Sequence, residues 1–412
     1  MRICKKIEEL SKTAMEQIAP QFAKIDETAQ YNTEKVMSIY KHHRVSDICF
    51  TATTGYGYND KGREMMNRIF ADIMNTPSAI VSTGFVSGTH AITAALFAAL
   101  KPRQTLLSAT GLPYDTLHNV IGISGENRGS LKEYEMPYAQ VELKNDGSPD
   151  KKAIADYINA NKVGAVFVQR SRGYSTRRAL TVKEIGEICD CVHSIDKNIN
   201  VVVDNCYCEF VEITEPGDVG ADIIAGSLTK NPGGGLVPKG GYIAGRDDLV
   251  EAAANRLSAP GIGIRCGASP NGHRILYQGL FTAPHTVAQA MKTAVFASKL
   301  FELMGYDVSP KYDETRSDII QMIRLGSGQL LERFCEGIQS ASPIDSFVTP
   351  IASEMPGYDH PVIMAAGTFI QGSSIELSAD APMCEPYNVF LQGSLTFESG
   401  KKSVMIAADS IK

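Results

Sequence analysis

Between residues 78 and 245 short apolar runs take turns with amphipathic stretches, and this alternation limits the possible folds more than any other feature. SAIVS (78–82) reads as a strand and leads into a helix over His90–Leu100. QTLLSAT (104–110) reads as a strand and YDTLHNVIGI (114–123) as helical. A charged helix over Lys151–Ala160, a strand in KVGAVFVQ (162–169) and a helix in TVKEIGEICDCVHSI (181–195) continue the rhythm. NINVVVD (198–204), ADIIAGS (221–227) and GGYIAG (240–245) read as strands. Apolar strands separated by amphipathic helices imply a mostly parallel sheet covered on both faces. In such sheets ligands sit beyond the carboxyl ends of the strands.

Polar residues gather at those ends. Ser87-Gly88-Thr89-His90 follows the first strand, Tyr114 the second and Gln169-Arg170 a later one, while Asp204 ends NINVVVD and Lys230 follows ADIIAGS. Asp204 and Lys230 are of the two kinds that pyridoxal 5'-phosphate requires: a carboxylate to keep its pyridine nitrogen protonated and an amine to form a Schiff base with its aldehyde. A lysine before Asn-Pro-Gly also fits a solvated turn. Ser87, Gly88 and Thr89 at a helix start offer hydroxyls and backbone N–H groups to a phosphate, as do Ser227 and Thr229 beside Lys230; Ser and Thr are equally common as plain helix caps. Tyr114 suits stacking on a ring or proton transfer, or a structural place at a helix start. TGYGYND (54–60) puts Tyr56 and Tyr58 on a glycine-bearing loop that reads as a binding loop or a turn. Arg170, Arg172, Arg177 and Arg178 in QRSRGYSTRR, and Arg256 and Arg265 in a glycine-rich stretch, could grip a carboxylate or phosphate.

Composition removes several classes. A net charge of −6 argues against a nucleic-acid partner. The longest apolar stretch, AITAALFAAL (91–100), is too short to span a bilayer, and the N-terminus lacks the apolar core of a signal peptide, so no membrane partner and a cytoplasmic location are expected. Neither G-x-G-x-x-G after an early strand nor a P-loop is present. The nine cysteines form C-x-C pairs at Cys189/Cys191 and Cys206/Cys208 rather than zinc spacing, and they read as reduced thiols. Adjacent His42 and His43 would diverge by about 100° on a helix. No metal is expected.

Residues 1–48 read as an amphipathic helical arm with a break near Pro20, residues 49–286 as a large domain, and residues 287–412 as a small C-terminal domain. The last opens with a helix over Val287–Met304 and carries strand-like runs in GTFIQG and SSIELS.

The blocks GYGYNDKGRE, SGTHA, GLPYDTL, QRSRGYSTR, VDNCYCEFVE, GSLTKNPGGG and MAAGTFIQGSSIELSAD together resemble the methionine gamma-lyase-like, or aluminium-resistance, group of pyridoxal-phosphate enzymes, and the resemblance covers nearly the whole chain. It implies the aspartate-aminotransferase (fold type I) α/β architecture. It also implies a Schiff base at Lys230, Asp204 at the pyridine nitrogen, ring stacking by Tyr114, and phosphate binding by Ser87, Gly88, Thr89, Ser227 and Thr229. Tyr56 and Tyr58 match a loop that crosses to a neighbouring subunit's cofactor phosphate, so a homodimer or homotetramer with shared sites is implied. The reaction implied is carbon–sulfur cleavage of a sulfur-containing amino acid by β- or γ-elimination. Lys230 would move the α-proton, and Tyr114 or Tyr58 would serve as acid. Transamination, racemisation, aldol cleavage, or a stress-related cofactor-binding protein with little turnover are the alternatives. One departure stands out. Enzymes of this fold usually hold the substrate carboxylate with a C-terminal arginine, but the last arginine here is Arg333 and the expected block reads QGSSIELS. Arg170, Arg172 or Arg265 would then take that role, or else backbone and hydroxyl groups would.

Overall fold

The computed structural model describes residues 3–125, 128–355 and 360–412. The chain runs α1 (Lys5–His42), α2 (Lys61–Met74), β1 (Ser78–Ser82), α3 (Gly88–Ala99), β2 (Thr105–Ser108), α4 (Thr116–Ile121), β3 (Tyr138–Gln140) and α5 (Lys151–Ala160). It continues through β4 (Val163–Gln169), α6 (Val182–Ile195), β5 (Asn200–Asp204), β6 (Ile223–Ser227), β7 (Gly241–Gly245), α7 (Asp247–Leu257) and α8 (Arg274–Leu303). The last part holds β8 (Asp307–Ser309), β9 (Gln321–Arg324), α9 (Gly328–Ala341), β10 (Val362–Ala365), β11 (Ser378–Pro382), β12 (Asn388–Gln392) and α10 (Phe397–Ser410).

Seven strands form one sheet in the order β1-β7-β6-β5-β4-β2-β3. β3, β2, β4, β5 and β6 pair in parallel, while β7 runs antiparallel to both β6 and β1. β4 and β6 are buried along their whole length and β5 beyond its first residue, as a sheet covered on both faces requires. α6 begins where the sequence signals it, with Thr181 and Glu184 closing a capping box. A five-stranded antiparallel sheet, ordered β10-β11-β12-β9-β8, forms the C-terminal part with α9 and α10.

The structure departs from the sequence reading at several points. α1 passes through Pro20 without a break. A mid-helix proline costs about 3 kcal/mol, but its ring lies on the exposed face while Ile7, Ala14, Ile18 and Val36 are buried against the body. GTFIQG is not a strand, because the N–H groups of Phe369 and Ile370 donate to the Glu376 carboxylate (2.7 and 2.9 Å) rather than to a neighbouring strand. In SSIELS only the final Ser378 enters a strand. The expected boundary at 286/287 falls inside α8, whose first half (Leu276, Leu280, Ala283) joins the core under the large sheet and whose second half (Phe296, Leu300, Phe301) joins the C-terminal core. No helix of the described residues is long and apolar enough to cross a membrane.

Candidate active site

Because β1, β2, β4, β5 and β6 point the same way, their carboxyl ends share one edge of the large sheet. Gln169 and Asp204 are register partners at the ends of β4 and β5, and Asp204 pairs with Ala225 of β6. Lys230 therefore follows the strand next to the one that Asp204 ends. Asp204 is buried, its Oδ1 accepts the Cys206 N–H (3.0 Å), and burial pushes its carboxyl above the usual range while Lys230 pulls the other way. Burial disfavours the Lys230 ammonium, yet the acidic groups around it (Cys206, Tyr207, Asp204 and Glu209) outweigh that and hold it above the ordinary lysine range. Its Nζ lies 3.9 Å over the centre of the Tyr207 ring, a cation–π contact that fixes where the amine stands. Tyr207 adopts a left-handed backbone (φ 71°) and its hydroxyl pairs with Ser374 Oγ (3.2 Å).

The expected phosphate residues come together from two elements. Ser87 caps α3 by accepting the His90 N–H (3.2 Å), and Thr89 Oγ1 pairs with Thr116 Oγ1 (3.1 Å). Ser227 Oγ meets Thr229 Oγ1 at 3.0 Å. Gly88 joins the two halves: a Cβ there would stand 3.0 Å from Ser227 Cβ and 3.5 Å from Cys206 Sγ, so only glycine leaves this hollow open. Hydroxyls and the N-terminus of α3 facing a cradle that a side chain would fill suit a bound phosphate. Tyr114 is held through its N–H, which donates to Gln169 Oε1 (2.7 Å). Its ring is met edge-on by Tyr174 (5.6 Å) and passes over Gly173, where a Cβ would come within 3.3 Å. An acid beside a lysine, a cradle for phosphate and a positioned tyrosine together fit pyridoxal phosphate.

Tyr56 and Tyr58 are exposed and stack on each other (5.5 Å), on a loop held by the segment around Gly267, whose N–H donates to the Tyr56 carbonyl (2.8 Å).

The three expected carboxylate-binding arginines part company. Arg170 is fully buried and engaged: Nε donates to the Leu180 carbonyl (3.2 Å), one terminal nitrogen to Asn205 Oδ1 (2.8 Å) and the other to Glu212 Oε1 (2.6 Å), with Glu215 at 3.7 Å. It braces the turn after β5. Arg265 is exposed and lines a hollow with Ser78, at the start of β1 and so on the opposite edge of the sheet from Lys230. Arg172 alone borders the cleft. One terminal nitrogen donates to the Ser309 carbonyl (2.8 Å), Nε stands 3.9 Å from Asp318, and Nε and the second terminal nitrogen have no hydrogen-bond partner among the described residues. Burial pushes it below the ordinary arginine range. The cleft has a volume of about 840 Å³ and runs between the large sheet's loops, including Tyr114, Gln169 and Tyr174, and the C-terminal part, including Ser309, His360 and Pro382.

Several residues escaped the sequence reading. Asp380 of β11 is buried, accepts from Gln392 Nε2 (2.7 Å) and from Tyr174, and burial raises its carboxyl to about 6 with Lys230 acting against it. Glu209 is pushed to about 8 by burial, with its Oε1 accepting the Tyr242 hydroxyl (2.7 Å). Tyr207 and Glu209 follow Asp204 within the VDNCYCEFVE block, a signal that could have found them. Nothing local in SADAP marks Asp380. Among the described residues His42, His43 and Asp72 also cluster, away from Lys230.

The family model for methionine gamma-lyase matches residues 7–412. The chain belongs to the methionine gamma-lyase family. The uncharacterized protein YnbB of Bacillus subtilis is 47% identical over 406 residues, which cover 98% of this chain and 96% of YnbB. The crystal structure of a carbon-sulfur lyase involved in aluminum resistance from Clostridium novyi is 49% identical, covers 100% of this chain and 97% of its own, and superposes with a TM-score of 0.96. At 16% identity the pyridoxal-5'-phosphate-dependent protein YhfS from Escherichia coli still superposes with a TM-score of 0.64 over 94% of this chain and 96% of its own, which shows the shared fold. The architecture is that of the fold type I enzymes.

Proposed function

We propose that this chain is a pyridoxal-phosphate-dependent carbon–sulfur lyase acting by β- or γ-elimination on a sulfur-containing amino acid. The observation that carries the reading is the placing of Asp204 and Lys230 at neighbouring strand ends beside a glycine-floored cradle. The Clostridium novyi relative, described as a carbon-sulfur lyase, supports the reaction class. Lys230 would hold the cofactor through its amine, Asp204 would face the pyridine nitrogen and Tyr114 would stack on the ring. Ser87, Gly88, Thr89, Ser227 and Thr229 would surround the phosphate, and Tyr56 and Tyr58 would reach the site of a neighbouring copy in a homodimer or homotetramer. When bound, the cofactor supplies an electron sink for the carbanion formed at the substrate's α-carbon.

The protein's part is placement and proton movement. Lys230 Nζ, held over the Tyr207 ring, would also take the substrate's α-proton. Arg172, buried at the edge of the cleft with two donors unpartnered among the described residues, would hold the substrate carboxylate. The Tyr114 hydroxyl protonates the departing thiolate. The C-terminal part lines the cleft opposite the large sheet's loops and would help keep these groups in register.

Two measurements test the reading. The purified protein shows an absorbance band near ~420 nm, the usual place for a lysine-bound cofactor, and Lys230→Ala abolishes it; an unchanged band removes Lys230 from its role. Incubation with S-substituted cysteines and homocysteines releases ammonia, a keto acid and a thiol in equal amounts. Accumulation of a pyridoxamine form instead means transamination, and no release across the panel overturns the lyase reading.

A further inference from the structure

At the end of α1 remote from its buried N-terminal half, two helix C-termini meet. α1 stops at His42, and α2 stops at Met74, two residues after Asp72. Each end carries the partial negative charge of its helix. Lys35 answers one of those carbonyls, donating to Ile73 O (2.7 Å), but the Asp72 carboxylate faces the two histidines. A carboxylate between two negative helix ends calls for positive charge.

We propose that His42, His43 and Asp72 form a binding site for a divalent transition-metal ion such as Ni²⁺ or Zn²⁺. On a continuing helix the two imidazoles would point about 100° apart. His43 still follows the helical path (φ −78°, ψ 0°), its N–H donating to Ile39 O (3.0 Å), and the chain turns only at Arg44 (φ 52°), so it is the side-chain torsions that bring the two rings together. The rings come to lie 5.1 Å apart and nearly perpendicular, at 81°. One nitrogen from each and one Asp72 oxygen lie within 4.8 Å of one another, and His43 Nε2 is 2.7 Å from Asp72 Oδ2. Metal–ligand bonds of about 2.0–2.2 Å set tetrahedral ligand atoms about 3.4 Å apart, so the His43 and Asp72 atoms would separate slightly around the ion while the exposed His42 ring rotates inward.

The donor set decides the ion. Two imidazoles and one carboxylate suit zinc, nickel or copper and leave positions for water. Magnesium and calcium want more oxygen ligands than this site has. The His43 and Asp72 side chains are 15% and 45% exposed, so a hydrated ion can reach them. Bound there, the ion ties the end of the α1 arm to α2. It does so without touching the Lys230 site.

Equilibrium dialysis of the full chain against NiCl₂ at pH 7.5 tests this, with ZnCl₂ and MgCl₂ in parallel. Wild type is expected to hold one nickel ion per chain that magnesium does not displace, and His42→Ala and Asp72→Asn to bind it at least about tenfold more weakly. Nickel should raise the thermal midpoint of wild type and not of His42→Ala. His42→Ala keeps the His43–Asp72 hydrogen bond, so the variant folds and its lyase activity is unchanged. Equal nickel binding by His42→Ala and wild type, or none by wild type, overturns the proposal and leaves His43 and Asp72 as an ion pair only.

Discussion

The candidate site has a floor and a wall, and the two are made differently. The floor is the carboxyl edge of a parallel sheet, where Asp204, Gln169 and Lys230 sit at adjacent strand ends and the α3 N-terminus faces Ser227. The wall is the antiparallel C-terminal sheet, which brings Asp380 and Gln392 against Tyr174 and contributes no arginine beyond Arg333. On the floor a lysine lies among acidic groups. On the wall the charge facing Lys230 from β11 is a carboxylate. Under the proposed reading the floor would hold the cofactor and the wall would help select the amino acid. Arg172, at the seam between them, is where the substrate carboxylate would be gripped.

Breaking the floor has the largest expected effect. Asp204→Asn keeps the size and the Cys206 hydrogen bond but removes the negative charge that would face the pyridine nitrogen. Turnover should fall by about a thousandfold or more, while the absorbance of the lysine-bound cofactor persists with a shifted maximum. Turnover within tenfold of wild type would mean that Asp204 is not the group facing the ring.

The seam separates a bracing arginine from a binding one. Arg170→Met leaves the buried Glu215 without its cation, although the Phe210 N–H (2.8 Å) and Asn205 Nδ2 (2.9 Å) still donate to it, and removes the contacts to Leu180, Asn205 and Glu212, so it should cost about 3–5 kcal/mol of stability, read by denaturant unfolding. Arg172 is held more loosely, 3.9 Å from Asp318, and Asp318 also accepts the N–H groups of Arg172 (3.0 Å) and Ile320 (3.1 Å), neither of which needs the guanidinium. Arg172→Gln should therefore stay folded and raise KM by about ten- to a hundredfold with kcat nearly kept, as expected for a lost charge-assisted contact. If Arg170→Met is the variant that raises KM without losing stability, the two roles are reversed.

The floor was largely legible in the sequence because its parts are local. Each strand is a continuous apolar run, and the residue that ends it must emerge at the sheet edge, so Asp204, Gln169 and Lys230 announce their own position. The arginines were harder, since Arg170, Arg172 and Arg265 differ only in what surrounds them in space. The wall was not legible. β9, β10 and β12 are four or five residues long, and the sheet is completed by pairing β12 (Asn388–Gln392) with the distant β9 (Gln321–Arg324), so no local pattern shows which face Asp380 occupies. The GTFIQG run failed for a related reason: Glu376, several residues away, takes the N–H groups a strand would have used. At α1 the long-range packing of one buried stripe carried the helix past Pro20, and the rings of the two adjacent histidines meet at 5.1 Å although they start from divergent helix positions, which no local pattern announces.

The smallest effect on turnover, and the sharpest probe of the wall, is expected from Asp380→Asn. The Asp380 carboxyl titrates near about 6 in the folded protein against 3.8 as its ordinary value, because burial disfavours its charged form. The folded state thus binds this proton more tightly than the unfolded chain does. Its contribution to stability is present below about pH 4 and is lost as pH rises to about 6, a swing of at most about 3 kcal/mol. Asparagine cannot ionise and keeps a donor and an acceptor for Gln392 and Tyr174. Compared with wild type, the variant should gain relative stability as pH rises from 4.5 to 6.5, read as a thermal midpoint difference that grows across that window and then levels. Activity at neutral pH should stay within a few-fold, and the acid limb of the rate profile near pH 6 should move. A midpoint difference independent of pH would mean that Asp380 is already ionised throughout, held so by Lys230 and its two hydrogen-bond donors, and that the wall presents a permanent negative charge to the substrate.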